Sequence, residues 1–259
     1  MYCFVTPVYN AQPWIAKSIR SMQSQKFADF RAVIMDANST DGTVAAAMAQ
    51  IGEDSRFELC ESGSRACPLE NTVNGIKRVS QNPEDIIVIV DGDDWLKHDR
   101  VLNQLEEVYA SGDVWLTYGS HQDFKNTWKH QLGLKVKRGI AREYPQCVQT
   151  ARLFRYHRFL ASHLRTYKRF LWDAIDDRDL RQENGEYYSA SGDFAAMIPM
   201  LEMAGAERIR YIKELLYVYN CSNPGSMHKE KKSHEAQTLN HIRVVRSDCY
   251  PLYVDRIPK

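Results

Sequence analysis

A chain of 259 residues, 44% hydrophobic and 26% charged, has the composition of an ordinary globular protein and is neither disordered nor fibrous. Its 34 basic and 33 acidic residues leave a net charge of +1, without the basic excess of a dedicated nucleic-acid binder. The six cysteines (Cys3, Cys60, Cys67, Cys147, Cys221, Cys249) include no Cys-x-x-Cys pair and suit free thiols in a reducing compartment better than a disulfide framework or a zinc site.

The N-terminal Met1 to Val5 runs directly into an apolar strand pattern, with no basic segment ahead of a long apolar one. No stretch reaches the ~18 uninterrupted apolar residues of a membrane span. A cytoplasmic location is expected, with peripheral membrane contact left open.

Short apolar runs alternate with helical patterns through the first half, as in βαβ units around a mostly parallel sheet. Tyr2 to Val5 reads as a buried strand ended by Thr6-Pro7, followed by a helical stripe of Trp14, Ile15, Ser18, Ile19 and Met22. Arg31 to Met35 reads as a second strand stopping at Asp36. Asp41-Gly42-Thr43 is a turn that offers a helix N-cap before Val44 to Met48. Phe57 to Cys60 is a short strand, and Asn71 to Val79 a helix broken by Asn82-Pro83. Ile86 to Val90 is an unbroken run of Ile and Val, as in a strand buried on both faces. A stripe of Val101, Leu102, Leu105, Val108 and Tyr109 follows, then a strand pattern over Val114 to Tyr118. Residues 120 to 150 are polar and basic (Lys125, Lys129, Lys135, Lys137, Arg138, Arg142), interleaved with Trp128 and Tyr144. A helix capped by Ser191 and closed by Gly205 is expected, then a strand pair, Arg208 to Ile212 with Leu215 to Tyr219, and a charged, initially helical tail from residue 229.

Three segments at strand exits carry chemistry. Asp91-Gly92-Asp93-Asp94 sets three carboxylates at the carboxyl end of a buried strand, where open α/β sheets bind ligands. Crowded like charges there call for a divalent cation, whose other face is free for diphosphate oxygens. In isolation the motif also fits an acidic turn. Thr6-Pro7-Val8-Tyr9-Asn10 suits a loop curving under a flat ligand, with Tyr9 and Asn10 able to stack on and bond a base or ribose, or an ordinary strand-to-helix connection. Asp36, in Asp36 to Thr43, can accept from the imide N–H of uracil, while Asp41 and the hydroxyls build the turn.

In this order and spacing the three segments, together with Asn71 and Asn74-Gly75, resemble the family 2 glycosyltransferases of the GT-A fold, over about residues 1 to 119. The resemblance implies a single α/β GT-A domain over 1–259, with a mostly parallel central sheet flanked by helices. Residues 1–119 would form the nucleotide-sugar half, 120–228 the acceptor half and 229–259 a helical tail. It also implies an inverting, metal-dependent transfer from a nucleoside-diphosphate sugar, a UDP-sugar in the first instance, to a glycan, lipid or protein hydroxyl. Tyr9 and Asp36 would contact base and ribose, with Thr6 and Pro7 at the pocket edge and Asn10, Asn71 and Gly92 lining the donor site. Asp93 would ligate Mn²⁺ or Mg²⁺, and Asp91 would hold the ribose or support the metal. Asp193 would be the base, with Glu186, Asp176 and Asp177 in reserve. Two departures stand out: Gly192 where the family has Glu, and Asn220 with Ser222 or Asn223 where Arg and His are common. His228 would supply the missing ligand. Residues 120 to 170, including His163, Arg165, Lys168 and Arg169, with Trp172 just beyond, would meet the acceptor or form a solvated basic face.

Two competing readings remain. A sugar-nucleotide nucleotidyltransferase generally carries a Gly-rich N-terminal loop, and residues 1 to 20 contain no Gly. A nucleotide-sugar-binding protein without turnover would be consistent with the departures at Gly192 and Asn220.

Overall fold

The computed structural model of the chain describes residues 1–125, 139, 141–224 and 253. The first half alternates β1 (Tyr2–Val8), α1 (Gln12–Gln23), β2 (Phe30–Asp36), α2 (Thr43–Ile51), β3 (Phe57–Glu61), α3 (Pro68–Val79) and β4 (Ile86–Ile89). Then come β5 (Trp95–Leu96), α4 (Val101–Ala110), β6 (Leu116–Gly119), β7 (His121–Phe124), α5 (Gln146–Thr150), β8 (Ser162–Lys168), α6 (Arg169–Asp173), α7 (Gly192–Arg208), β9 (Ile209–Tyr211) and β10 (Tyr217–Asn220).

Seven strands form one sheet in the order β3-β2-β1-β4-β8-β6-β9, in which β8 alone runs against its neighbours. This is the mostly parallel α/β sheet expected. All seven residues of β1 are buried, because helices cover both faces of the sheet. Alternation divides them: Cys3 and Val5 join the core beneath α3 and α7, while Tyr2, Phe4 and Val8 join the one beneath α1 and α4.

β1 continues through Thr6-Pro7 instead of ending there. Odd-numbered residues of β1 face β4, since Val5 and Pro7 carbonyls accept from Val90 and Gly92 N–H groups. Pairing with β4 ends at Val5–Ile89, so the N–H that Pro7 lacks falls beyond the ladder and costs no strand hydrogen bond. α3 starts three residues before the expected Asn71, with Pro68 in its first turn, a position that needs no N–H. The expected pairing of the last two strands is not formed. β9 extends the large sheet beside β6, whereas β10 lies between β5 and β7 in a separate three-stranded sheet.

α7 is broken at Gly205, which leaves helical geometry (φ 65°, ψ −176°) at the position expected to close the helix, and one further turn runs on to Arg208. Ser191, expected to cap it, has a left-handed backbone and makes no side-chain cap bond. The helix is held instead by a buried ion pair. Arg155 meets both Glu202 carboxylate oxygens, Nε to Oε1 at 2.5 Å and Nη2 to Oε2 at 2.6 Å, and the Tyr253 N–H donates to Oε2 at 3.0 Å. Residues 126–138 and 140, with Trp128, Lys129, Lys135, Lys137 and Arg138, lie outside the described residues, as do 225–252 and 254–259. No helix among the described residues is long and apolar enough to cross a membrane, and the five cysteines among them are free thiols.

Both members of the Arg155–Glu202 pair are at most 1% exposed, so removing Glu202 deprives a buried guanidinium of the carboxylate that meets it through two nitrogens. Glu202→Ala is expected to cost about 3–5 kcal/mol of folding stability, read from urea denaturation. Replacement of both residues by apolar ones of similar volume should cost clearly less; equal losses would show that the volume matters and the charge does not.

Candidate active site

The exits of β1, β2 and β4 meet at Val8. Val8 pairs with Asp36 at the end of β2, and its carbonyl accepts from the Ala37 N–H at 2.9 Å. A Cβ on Gly92 would lie 2.5 Å from Val8 Cβ, so only glycine lets the Asp91–Asp94 loop pass over β1 at this distance. The predicted donor and metal segments are therefore brought to one edge of the sheet.

On the β2 side, Asp36 is 1% exposed. Its Oδ2 accepts from the Ser39 N–H at 2.8 Å, while Oδ1 has no partner among the described residues. Asn71 donates through Nδ2 to the Met35 carbonyl at 3.0 Å, and its Oδ1 is likewise buried and unpaired. Two orphaned acceptors at one strand exit leave room for donors from outside the protein, such as a base N–H or a ribose hydroxyl. Tyr9 is partly exposed, with the Arg65 guanidinium 4.4 Å from its ring centroid.

Other predicted residues have local duties. Asn10 is in left-handed geometry and accepts through Oδ1 from the Thr40 N–H at 2.9 Å, tying the β1–α1 loop to the β2–α2 loop. Asp41 accepts from the N–H groups of Gln12 and Thr43, each at 3.1 Å, and from the Thr43 hydroxyl at 2.5 Å, which makes it the turn builder anticipated. The residue at the α2 cap position is Gly42. Thr6 is fully buried on the α1 side, its hydroxyl 3.9 Å from Met22 Sδ. Pro7 contributes its carbonyl to Gly92.

The carboxylates after β4 divide by role. Asp94 turns inward, 1% exposed, accepting from the Tyr217 hydroxyl at 2.8 Å and from the Asn220 N–H at 2.7 Å, so both its oxygens are engaged inside the protein. The Tyr217 hydroxyl also accepts from the Asp91 N–H at 3.1 Å. Burial, then the charges of Asp93 and Asp91, hold the Asp94 carboxyl well above the usual carboxylate range. Asp93 accepts from Asn223 Nδ2 at 2.7 Å. Asp91 is pushed up to about 6, first by burial and next by Asp93; Asp193 adds to the rise and Arg165 opposes it.

These are hard oxygen donors crowded as like charges, which fits a divalent cation. Among the described residues no three potential ligands converge as an all-protein cage. His228 lies outside the described residues.

Opposite this edge stands Asp193, in the first turn of α7, its Oδ2 3.0 Å from Arg165 Nη1 and its Oδ1 accepting from the Phe194 N–H at 2.9 Å. Its charge reaches Asp91; the reserve acids are engaged elsewhere, Asp176 with Arg178, Asp177 with Arg181 and Tyr187, and Glu186 with Asn184. Gly192 has a packing reason, since a Cβ there would lie 2.8 Å from Leu69 Cβ on α3. Sequence reasoning missed Tyr217 and assigned His163 and Arg165 to an acceptor region; the structure places both on β8 beside the carboxylates. Lys168 and Arg169 lie at the other end of β8, paired with Glu84 and Asp173.

A glycine-spaced acidic motif at the exit of a central parallel strand, an unsatisfied acceptor at the neighbouring exit and a carboxylate on the first turn of α7 make up the candidate site. Glycosyl transferase family 2 matches residues 3–174, and the chain belongs to that family. An uncharacterised glycosyltransferase of Haemophilus influenzae is 25% identical over 117 residues, 45% of each chain, so the match spans less than half of that relative. S. aureus TarS 1–349 in complex with UDP-GlcNAc is similar in fold, with a TM-score of 0.65 and 16% identity, covering 98% of this chain and 69% of that one. Full TarS is matched over 40% of its length. The mannosyltransferase PcManGT from Pyrobaculum calidifontis, in complex with GDP-Man and Mn²⁺, gives a TM-score of 0.60 and 16% identity, covering 93% of this chain and 62% of the other.

The raised Asp91 carboxyl has a measurable consequence. Folded Asp91 holds its proton more tightly than an unfolded Asp, whose pKa is about 3.9. Stability is therefore lost as pH rises from about 4 to about 6, and the loss persists above that range. Asp91→Asn is expected to be more stable than the parent at pH 8, by on the order of 1–3 kcal/mol, with the difference vanishing near pH 4 in urea denaturation. Equal stability at pH 8 would contradict this electrostatic assignment.

Proposed function

We propose that the chain transfers a sugar, with inversion, from a nucleoside-diphosphate sugar to a hydroxyl of a glycan, lipid or protein acceptor, and that the donor is a UDP-sugar. The observation that carries this reading is the crowding of Asp91 and Asp93 at the β4 exit, within electrostatic reach of Asp193. Support for a nucleotide-sugar donor comes from the fold neighbours, which bind UDP-GlcNAc and GDP-Man. Support for uracil comes from the buried, unpaired Oδ1 of Asp36, which matches the single imide N–H of that base.

In this reading Tyr9 and Asp36 hold base and ribose, with Asn10, Asn71, Thr6, Pro7 and Gly92 shaping the donor site beneath them. Asp93 and Asp91 hold Mn²⁺ or Mg²⁺, with His228 as a further ligand; when bound, the ion neutralises the departing diphosphate. The acceptor oxygen attacks the anomeric carbon from the face opposite the leaving group. Its proton passes to the Asp193 carboxylate as the bond to the diphosphate breaks and the new glycosidic bond forms. Both Asp193 oxygens already accept one hydrogen bond, and each retains a second lone pair for the incoming hydroxyl. The enzyme works in the cytoplasm, in keeping with its free thiols.

A thermal-shift panel of UDP, GDP and CMP, each with and without Mn²⁺, tests the donor half. UDP with Mn²⁺ at a hundred times its dissociation constant should add about 2.7 kcal/mol of stability. Asp93→Ala should abolish the metal-dependent part of that response. A response to GDP alone would move the reading to a GDP-sugar, and no nucleotide response would overturn it. For the base, Asp193→Asn is expected to keep UDP affinity while lowering turnover by roughly 10²-fold or more. Unchanged turnover would remove Asp193 from that role, and binding without turnover in the parent would identify a nucleotide-sugar-binding protein.

A further inference from the structure

Arg165 occupies a position that donor binding and proton transfer, as described, do not use. β8 is the one antiparallel strand of the large sheet, and its register sets Arg165 directly beside Ile89, the last residue of β4. Alternation along β8 puts His163 and Arg165 on the same face, toward the carboxylates, while Leu164 packs into the core on the other side. Arg165 is buried, and its guanidinium spans two partners: Nη1 lies 3.0 Å from Asp193 Oδ2, and Nη2 lies 2.9 Å from His163 Nε2. Arginine has no acceptor, so Nε2 of His163 must be the accepting nitrogen. The His163 ring stacks on Tyr217 with centroids 4.6 Å apart and planes within 10°. Tyr217 in turn donates to Asp94 and accepts from the Asp91 N–H. One continuous set of contacts thus runs from the acidic loop to the carboxylate at the start of α7.

We propose that Arg165 is a positioning residue that fixes the Asp193 carboxylate at the donor site, its own fork held by His163 stacked on Tyr217. This rests on the reading of Asp193 as the base. The need for such a device follows from the exposure of Asp193, whose side chain is 46% accessible on a first helical turn lacking a side-chain cap. A carboxylate in that setting has several rotamers open to it, and transfer requires one. A planar guanidinium with one nitrogen on Oδ2 and another on a stacked imidazole selects an orientation as well as a distance. The rival role is direct. Arg165 Nε is buried with no partner among the described residues and could donate to an oxygen of the donor.

The two roles separate in kinetics. UDP-glucose and UDP-N-acetylglucosamine serve as probes with Mn²⁺, UDP release to water being followed in the 259-residue chain with no other acceptor present. If Arg165 acts through Asp193, Arg165→Met lowers kcat by about 10- to 100-fold, leaves the KM for the donor within about twofold, and adds nothing further on an Asp193→Asn background. Arg165→Lys, which keeps the charge but loses the fork, recovers part of the rate. The same quantities are read from Arg165→Lys should Arg165→Met fail to fold. A raised donor KM, or losses that multiply in the double variant, would overturn the proposal in favour of direct donor contact. Crystal structures of the parent and of Arg165→Met decide the matter without turnover. Departure of the Asp193 carboxylate from its original rotamer supports the positioning role, and its retention refutes it. Should the parent neither bind UDP nor release it from either sugar nucleotide, the donor reading fails, while the crystallographic comparison still decides whether Arg165 sets Asp193.

Discussion

The site is organised around a carboxylate that faces inward. Asp94 is buried at the point where the chain leaves the central strand β4, and a buried carboxylate is tolerated only where its oxygens are fully engaged. Tyr217 and Asn220 engage them, and both belong to β10, more than a hundred residues later in the chain. One residue of the acidic motif thereby joins the three-stranded sheet to the edge of the seven-stranded one. The joining also fixes the loop, because Tyr217 holds the Asp91 N–H through the same oxygen. In the proposed reading Asp91 and Asp93 serve the donor and its cation, while Asp94 anchors their loop from inside the protein. The motif is then one anchor and two working groups.

Charge balance at this edge follows from that division. Burial and mutual repulsion raise the Asp91 carboxyl, while Asn223 gives Asp93 a neutral donor and Arg165 opposes the rise at Asp91 without returning it to the ordinary range. A site left with negative charge in excess is costly when empty and suited to a ligand that arrives with a cation. This is a trade of folding stability for affinity of the kind binding sites commonly show.

The parallel half of the fold is legible because its signals are local. Ile86 to Val90 could hardly be anything but a doubly buried strand, and Asp41-Gly42-Thr43 announces its turn. What escaped has a physical cause in each case. Thr6-Pro7 reads as a strand end, yet the proline's missing N–H falls past the end of β4, which only the register reveals. β8 carries His163, Arg165 and Lys168 among apolar residues and lacks a clean alternation, because part of its charge points into a site instead of solvent. β9 and β10 look like a hairpin in sequence and join different sheets, a choice settled by Asp94 and not by the strands themselves. Among candidate site residues, the acids were read from their motif, whereas Tyr217 and Asn223 had no local mark pointing to the contacts that they make. Tyr217 could have been sought as the partner that a buried Asp94 requires.

The two departures from the family pattern have local structural grounds. Gly192 stands where the family has Glu, and the start of α7 lies against Leu69 so closely that any side chain there would collide with α3. Packing therefore determines that position, and Asp193 beside it keeps its place. Asn220 and Asn223 stand where Arg and His are common. Asn220 supplies a backbone N–H to Asp94, a contact that needs no particular side chain, and Asn223 sends its amide to Asp93. A neutral amide cannot replace the charge of an imidazolium or the coordinating nitrogen of an imidazole, but it can orient a carboxylate. With orientation supplied by Asn223 in the loop after β10 and positive charge by Arg165 from β8, the proposed site divides between a loop and a strand the functions that the usual Arg and His would combine. The altered positions are consistent with a site rebuilt around the same acids and do not by themselves imply one that has been lost.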